Sequence, residues 1–429
     1  MQLAIFGVST YVAWALRKDK LLGVSKYISM LTIWIAFIIY SVFQILPLPS
    51  FLLELLSPHS AAMYDLTNAA SRYISTDLGQ SKINLIKLLS YFCLLMLTLQ
   101  LVNTESRVKL LLTTMVASGT FQAVYGSLEI LLNASSSLVF GLEVNDIATG
   151  SFVYKNHYAN FLMLCLCAGM GLLVTSIEKE KNVSPKDMLR AFASTMLSSK
   201  ALVRIALAVM VIALVMSRSR MGNTAFFSSM AITGILALTL IRNRSNGLLI
   251  LVASIFIIDL LIVSAYFGLE RVKDRIVQTS IEQESRDEVV KEASKIIEDY
   301  PVFGTGGGSF YSIFPSYQES NISGFYDHAH NDYLQFVIEY GLLGTILLSA
   351  IVLFSLYKGL RAMKKRKNSI FKGVGFACSM AIFGMMLHAT VDFPFQAYAN
   401  ACYFVLFIAL SMISSSLKIR TRNFTAQNI

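Results

Sequence analysis

The stretch "HNDYLQFVIEYGLLGTILLSAIVLFSLYKG", residues 330–359, decides the fold, because from Tyr333 to Tyr357 it holds one charged side chain, Glu339. Crossing ~30 Å of hydrocarbon takes ~20 apolar residues in a helix, since only a helix satisfies its own backbone there. This run at 332–357 meets that measure. The same measure places spans near 27–47, 83–103, 108–132, 157–176, 202–219, 222–241, 247–268, 371–391 and 397–416, with a shorter apolar stretch at 3–16. Of the 429 residues 55% are hydrophobic and 14% charged, and the mean hydropathy is +0.60. A soluble domain needs a more polar surface, so the expected solvent is lipid. The fold class read here is an all-α polytopic membrane protein with about eleven to twelve transmembrane helices. It divides into a bundle at 1–268, a large polar loop at 269–330 that carries short amphipathic helices, and further membrane helices at 331–429.

The formal charge of +10 raises the question of nucleic acid, and its distribution answers no. With the C-terminal Lys418, Arg420 and Arg422 placed in the cytoplasm, alternate loops collect 24 of the 36 Lys and Arg residues on that side, as the positive-inside rule requires. His59, His157, His328, His330 and His388 then fall at the opposite, outward side, together with Arg218, Arg220 and Arg286. Polar groups gathered at one surface point to a site facing that compartment. The cysteines, Cys93, Cys165, Cys167, Cys378 and Cys402, all lie in apolar segments and read as small hydrophobes.

The outward loop opens with "SRDE" at 285–288, a capping box followed by apolar Val289, Val290, Ala293, Ile296 and Ile297. That spacing predicts an amphipathic helix from Ser285, stopped at Pro301 and lying on the membrane surface. Arg286 falls in its first turn, where free N–H groups favour an anion. "PVFGTGGGSF" at 301–310 follows, glycine-rich enough for the backbone to approach a ligand but lacking the Lys-Ser/Thr of a phosphate loop. Then "YDHAHNDYLQFVIEYGLLG" runs into the membrane. His330 stands at the mouth, and Glu339 roughly 13 Å further along.

At these residues the chain resembles the O-antigen ligase and O-antigen polymerase superfamily of membrane glycosyltransferases. His330-Asn331, a nine-residue gap, Gly341 and Gly344 match that family's signature. The stretches at 43–58, 150–162 ("GSFVYKNHYANFL"), 217–222 ("SRSRMG"), 285–310 and 388–396 ("HATVDFPFQ") agree in the family's order. The resemblance implies a multi-pass protein of the bacterial cytoplasmic (inner) membrane with its active site facing the periplasm. It implies transfer of a glycan from a polyprenyl (undecaprenyl) diphosphate-linked oligosaccharide to an acceptor hydroxyl on a glycan or lipid A core. No nucleotide sugar, metal or other cofactor is implied, and the partners are donor, acceptor and lipid bilayer, with no nucleic acid. Arginine holds a diphosphate bidentately without titrating, and histidine is suited to take a proton near neutral pH. By the resemblance, His330 is the candidate base, with Arg220 and Arg286 the candidate diphosphate clamps and inversion at the anomeric carbon the outcome.

Other residues carry two readings each. Arg286 is a clamp or a solvated charge on a surface helix. Arg218 competes with Arg220, which fits the family's Ser-Arg-x-Gly pattern. Asn156 and His157 cap a helix or touch the lipid-linked glycan. Asn331 belongs to the signature and Glu339 is a satisfied carboxylate or an arginine partner. His388 and Asp392, four apart, are expected on one helix face, as a structural pair or a support for the site. A second function class, a transporter or flippase of lipid-linked glycans, shares the many helices. It would place charges near the midplane and show broken repeats, and neither is evident in the sequence.

Overall fold

The computed structural model describes residues 1–15, 24–67, 69–133, 136–137, 141, 147–177, 199–241, 288–319 and 325–417. These residues form helices joined by short turns. In chain order they are α1 (Gln2–Ala15), α2 (Ile28–Gln44), α3 (Ser50–Leu56), α4 (Pro58–Thr67), α5 (Leu78–Leu101), α6 (Glu105–Leu131) and α7 (Lys155–Ile177). There follow α8 (Ser199–Met216), α9 (Arg220–Leu240), α10 at 288–299, α11 (Phe310–Ile313), α12 (Asp332–Lys365), α13 (Ser369–His388) and α14 (Tyr398–Ser416). Seven helices among the described residues are long and apolar enough to cross a membrane. Ten of the eleven apolar stretches read from the sequence coincide with helices; 247–268 lies outside the described residues.

The starts of these helices are set by side chains that accept from orphan N–H groups. Asp77 caps α5 through Gln80, Thr104 caps α6 through Arg107, Ser219 caps α9 through Gly222, and Asn331 caps α12 through Leu334. Helix α7 is the centre of the bundle, and almost every residue of its span is buried. It packs along α13 with its backbone nearly touching: a Cβ on Gly171 would come within 2.7 Å of the Gly373 carbonyl. Small residues at such contacts let two membrane helices gain dispersion energy over a long seam. Cys165, Cys167, Cys378 and Cys402 are buried in this packing as free thiols.

Two opposite ends of the bundle are recognisable from their contacts. At one, Asn368 before α13 donates to Glu105 at the start of α6, and Arg366 stacks on Phe371 while reaching the Leu417 carbonyl. At the other end the starts of α7, α9, α12 and α14 meet the end of α13, and this end holds the candidate site.

The loop before α12 differs from expectation. The apolar face of α10 does not lie outward: Val289, Ala293 and Ile296 are fully buried against Phe310, Phe314, Ala329 and Ile338. The loop has enough aromatic side chains of its own to cover that face. It makes a small core rather than leaving the helix to the lipid surface. Residues 285–287, and with them Arg286, lie outside the described residues.

The glycine-rich segment serves the protein's own backbone. Helix α12 breaks at Gly341, whose φ of 59° and ψ of −171° are non-helical. The backbone groups freed by the break pair with 301–306: Leu342 N–H donates to the Pro301 carbonyl, Thr305 N–H to Ile338 and Gly306 N–H to Glu339. Irregular backbone at membrane depth is tolerated where protein satisfies it in this way. Tyr40 and Gln44 of α2 close the junction by donating to Phe303 and to the carbonyls of Tyr340 and Glu339.

Candidate functional site

His330 is the last residue before the cap of α12, and its backbone is left-handed, with φ of 49°. A non-glycine residue in that region is strained and needs surroundings that hold it there. Asp332 N–H, two residues on, donates to the carbonyls of both Ala389 and Asp392, which ties the mouth of α12 to the turn after α13. The Nδ1 of His330 stands 3.9 Å from Asp392 Oδ1, and the ring lies edge-on to Phe393 at 4.9 Å between centroids.

That turn exists because α13 ends at His388, with Ala389 as its C-cap. The expected pairing of His388 and Asp392 on one helix face is therefore incorrect. Pro394 disfavours helix at the residue before it and removes a donor, so Asp392 leaves the helix and turns toward α7. His388 stays inside the packing, fully buried, with its Nδ1 3.0 Å from Asn160 Nδ2. Asp392 is also buried, and it accepts from the Asn156 amide, from its neighbour Phe393 N–H and, at 3.5 Å, from the Tyr154 hydroxyl.

Asn156 extends the network to the arginine-bearing turn. Its Oδ1 accepts a 2.7 Å hydrogen bond from Ser219 Oγ, which in turn caps α9. Arg218, in a left-handed conformation with φ of 51°, and the exposed Arg220 flank that serine. A continuous path thus runs from the 217–222 turn through Ser219, Asn156 and Asp392 to His330. His157 sits beside it, edge-on to Phe393 at 5.0 Å, and its carbonyl accepts from Asn400.

Phe393 is the hub of the aromatic cluster. His157, His328, His330 and Tyr154 all contact its ring. On its far side His328 lies 3.2 Å from Gln335 Nε2, which also donates to Glu339. Burial pushes His328 below its usual value; Asp327 and the Gln335 contact oppose this, and Lys87 adds to it. Glu339 is buried and accepts from Gly308 N–H and Gln335. Asn331 spends its side chain on the cap of α12. Among the described residues no group of three or more His, Cys, Asp or Glu side chains is arranged to hold a metal ion.

Three of the residues that build this site were not singled out in the sequence: Tyr154, Ser219 and Phe393. Each lies inside a quoted stretch, two residues from Asn156, beside Arg220 and beside Asp392 respectively. Nothing in their residue types marked them.

Residues 205–349 match the family model described as O-antigen ligase. This match supports membership of the O-antigen ligase superfamily. The matched segment opens within α8, includes the Arg218–Arg220 turn, and takes in His330, Glu339 and the break at Gly341 before ending in α12. Asn156, His157, His388 and Asp392 lie outside the matched segment and fold onto it from α7 and the α13–α14 turn. No curated protein matches the chain.

Proposed function

We propose that this chain is a membrane glycosyltransferase of the ligase or polymerase type. It moves a glycan from a polyprenyl diphosphate carrier to an acceptor hydroxyl at the periplasmic face of the bacterial inner membrane. The observation that carries this reading is the path from the arginine turn to the strained histidine: Ser219, Asn156, Asp392 and His330 in sequence, each within contact of the next.

Arg220 and Arg286 hold the diphosphate and take up the charge that develops on it as it leaves. His330 accepts the proton of the acceptor hydroxyl as that oxygen attacks the anomeric carbon. A new C–O bond forms on one face of the sugar while the bond to phosphate breaks on the other, which inverts the anomeric centre. Asp392 acts through His330: its buried carboxylate orients the imidazole and favours the imidazolium that forms. The buried Asn156 amide fixes the carboxylate.

Reconstituted protein supplied with a lipid-linked oligosaccharide and an acceptor tests this. His330→Ala, Arg220→Ala and Arg286→Ala should each lose transfer while staying folded. Normal product from any one removes that residue from the scheme. Movement of the lipid-linked glycan across the bilayer without joining to an acceptor would replace the scheme with a transporter.

A further inference from the structure

Two adjoining cavities lie beyond His328, which packs on the Phe393 ring and lines the second of them. The first, of about 460 Å³, is an apolar crevice among α2, α5, α12, α13 and α14, lined by side chains such as Trp34, Leu88, Phe336, Phe404 and Ile408. The second, of about 200 Å³, is polar, lined by Gln80, Asn84, Gln335, Gln396, His328 and Tyr311 among others. Asn84, Lys87, Glu339 and Gln396 line both, so the two share a boundary.

Lys87 is the cation at that boundary. It lies in the middle of α5, and its ammonium has no hydrogen bond or ion pair among the described residues. A lone cation within an apolar span is costly and marks a ligand path unless it is paired. Among the described residues no acid nearby forms an ion pair with it. Asp332 is occupied by Phe395 N–H and Gln396, Glu339 by Gly308 N–H and Gln335, and Asp327 is mostly exposed. The polar cavity has the chemistry that fits a sugar: several primary amides to pair with vicinal hydroxyls, and an exposed ring, Tyr311, at 5.7 Å from Phe325. Apolar chain, anion and saccharide are therefore wanted in that order, from crevice through Lys87 to the amide pocket.

We propose that these cavities seat a second lipid-linked saccharide, the acceptor, with its hydrocarbon chain in the crevice, its phosphate on Lys87 and its sugar against Asn84, Gln396 and Tyr311. This rests on the proposed transfer reaction and narrows its acceptor to a membrane-anchored, phosphate-bearing glycolipid. His330 then stands between two amphiphiles, the donor reached through Asn156 and the acceptor through Phe393 and His328.

The chain has two tryptophans, Trp14 and Trp34, so Trp14→Phe leaves Trp34 in the crevice as the sole reporter. Farnesyl phosphate titrated into this full-length protein in phosphatidylcholine nanodiscs should change Trp34 emission saturably. Lys87→Met should weaken that binding roughly tenfold or more, the worth of one charge-assisted contact, and Lys87→Arg should restore most of it. Farnesol and inorganic phosphate, each with half of the ligand, should bind more weakly. In the transfer assay Lys87→Met should raise the acceptor KM by a similar factor with the donor KM unchanged.

Equal binding by Lys87→Met, or equal competition by phosphatidylglycerol, overturns the proposal, since the crevice would then hold ordinary lipid. So does an unchanged acceptor KM in a protein that transfers normally, and that result leaves the catalytic reading standing. Conversely, a protein that binds farnesyl phosphate through Lys87 yet transfers nothing ends the catalytic reading and leaves the lipid site.

Discussion

Asp392 touches His330 through one carboxylate oxygen, 3.9 Å from Nδ1, and receives the Asn156 amide on the other. The two oxygens thus join the turn after α13 to both the mouth of α12 and the start of α7. Three segments far apart in sequence are held in register by one buried carboxylate.

Replacing that carboxylate by its isostere separates charge from shape. Asp392→Asn keeps the volume and can still bond Phe393 N–H, but it no longer favours an imidazolium and presents an amide to Asn156. Transfer should fall at least about tenfold, in kcat rather than in either KM, as is typical when a group that orients a catalytic histidine is lost. A change confined to KM, with kcat intact, would show that Asp392 serves binding instead.

Gly341 is a position where no side chain fits. A Cβ there would lie 2.2 Å from the Val302 carbonyl oxygen, and its φ and ψ belong to a region that is essentially glycine-only. Gly341→Ala should destabilise the protein by about 2 kcal/mol or more, read as a lower Tm and a smaller monodisperse fraction in detergent. Gly344→Ala meets the Tyr340 Cβ at 2.6 Å and the Tyr40 ring at 2.7 Å, but its backbone is helical, so it should destabilise by less. A Gly341→Ala protein as stable as the parent would mean that the break and its pairing with 301–306 do not hold α12.

The apolar spans were legible in the sequence because lipid imposes one requirement on every residue of a crossing helix. His330 and the glycines were legible only through a family signature. That signature gave no hint that Gly341 breaks the helix or that Gly304 and Gly306 serve the break. The end of α13 was not legible either. Spacing alone put His388 and Asp392 on one face, whereas Pro394 and the bonds from Asp332 to Ala389 and Asp392 turn the chain out of the helix. Lys87 was not singled out in the sequence, because the cavities that give it meaning come from five helices.

Ser219 has two duties that one substitution can divide. Its hydroxyl accepts from Gly222 N–H and donates to Asn156 Oδ1. Ser219→Ala loses both, and the cap alone is worth about 1 kcal/mol. Ser219→Asp keeps an acceptor for Gly222 but sets an oxygen against the Asn156 carbonyl, so the amide must turn and release Asp392. Both variants should lose transfer and lower Tm, the alanine variant through the lost cap and the aspartate variant through a carboxylate set at a position only 1% exposed. If Ser219→Asp transfers at the parental rate, the path from the arginine turn to His330 is not used.

The half-buried His328 makes stability depend on pH with a definite sign. Burial lowers its folded value beneath the ordinary 6.5, so as pH falls below that point the unfolded chain takes up a proton that the folded chain refuses. Stability is then fully present above about pH 6.5 and declines in more acid solution. Melting the full-length protein in detergent at pH 7.5, 6.5 and 5.5 should show this decline, and His328→Gln should flatten it while its amide keeps a partner for Gln335. The measurable quantity is the difference between variant and parent. A parallel decline in both would place His328 in contact with solvent protons in the folded state and would open the polar cavity to water at that side.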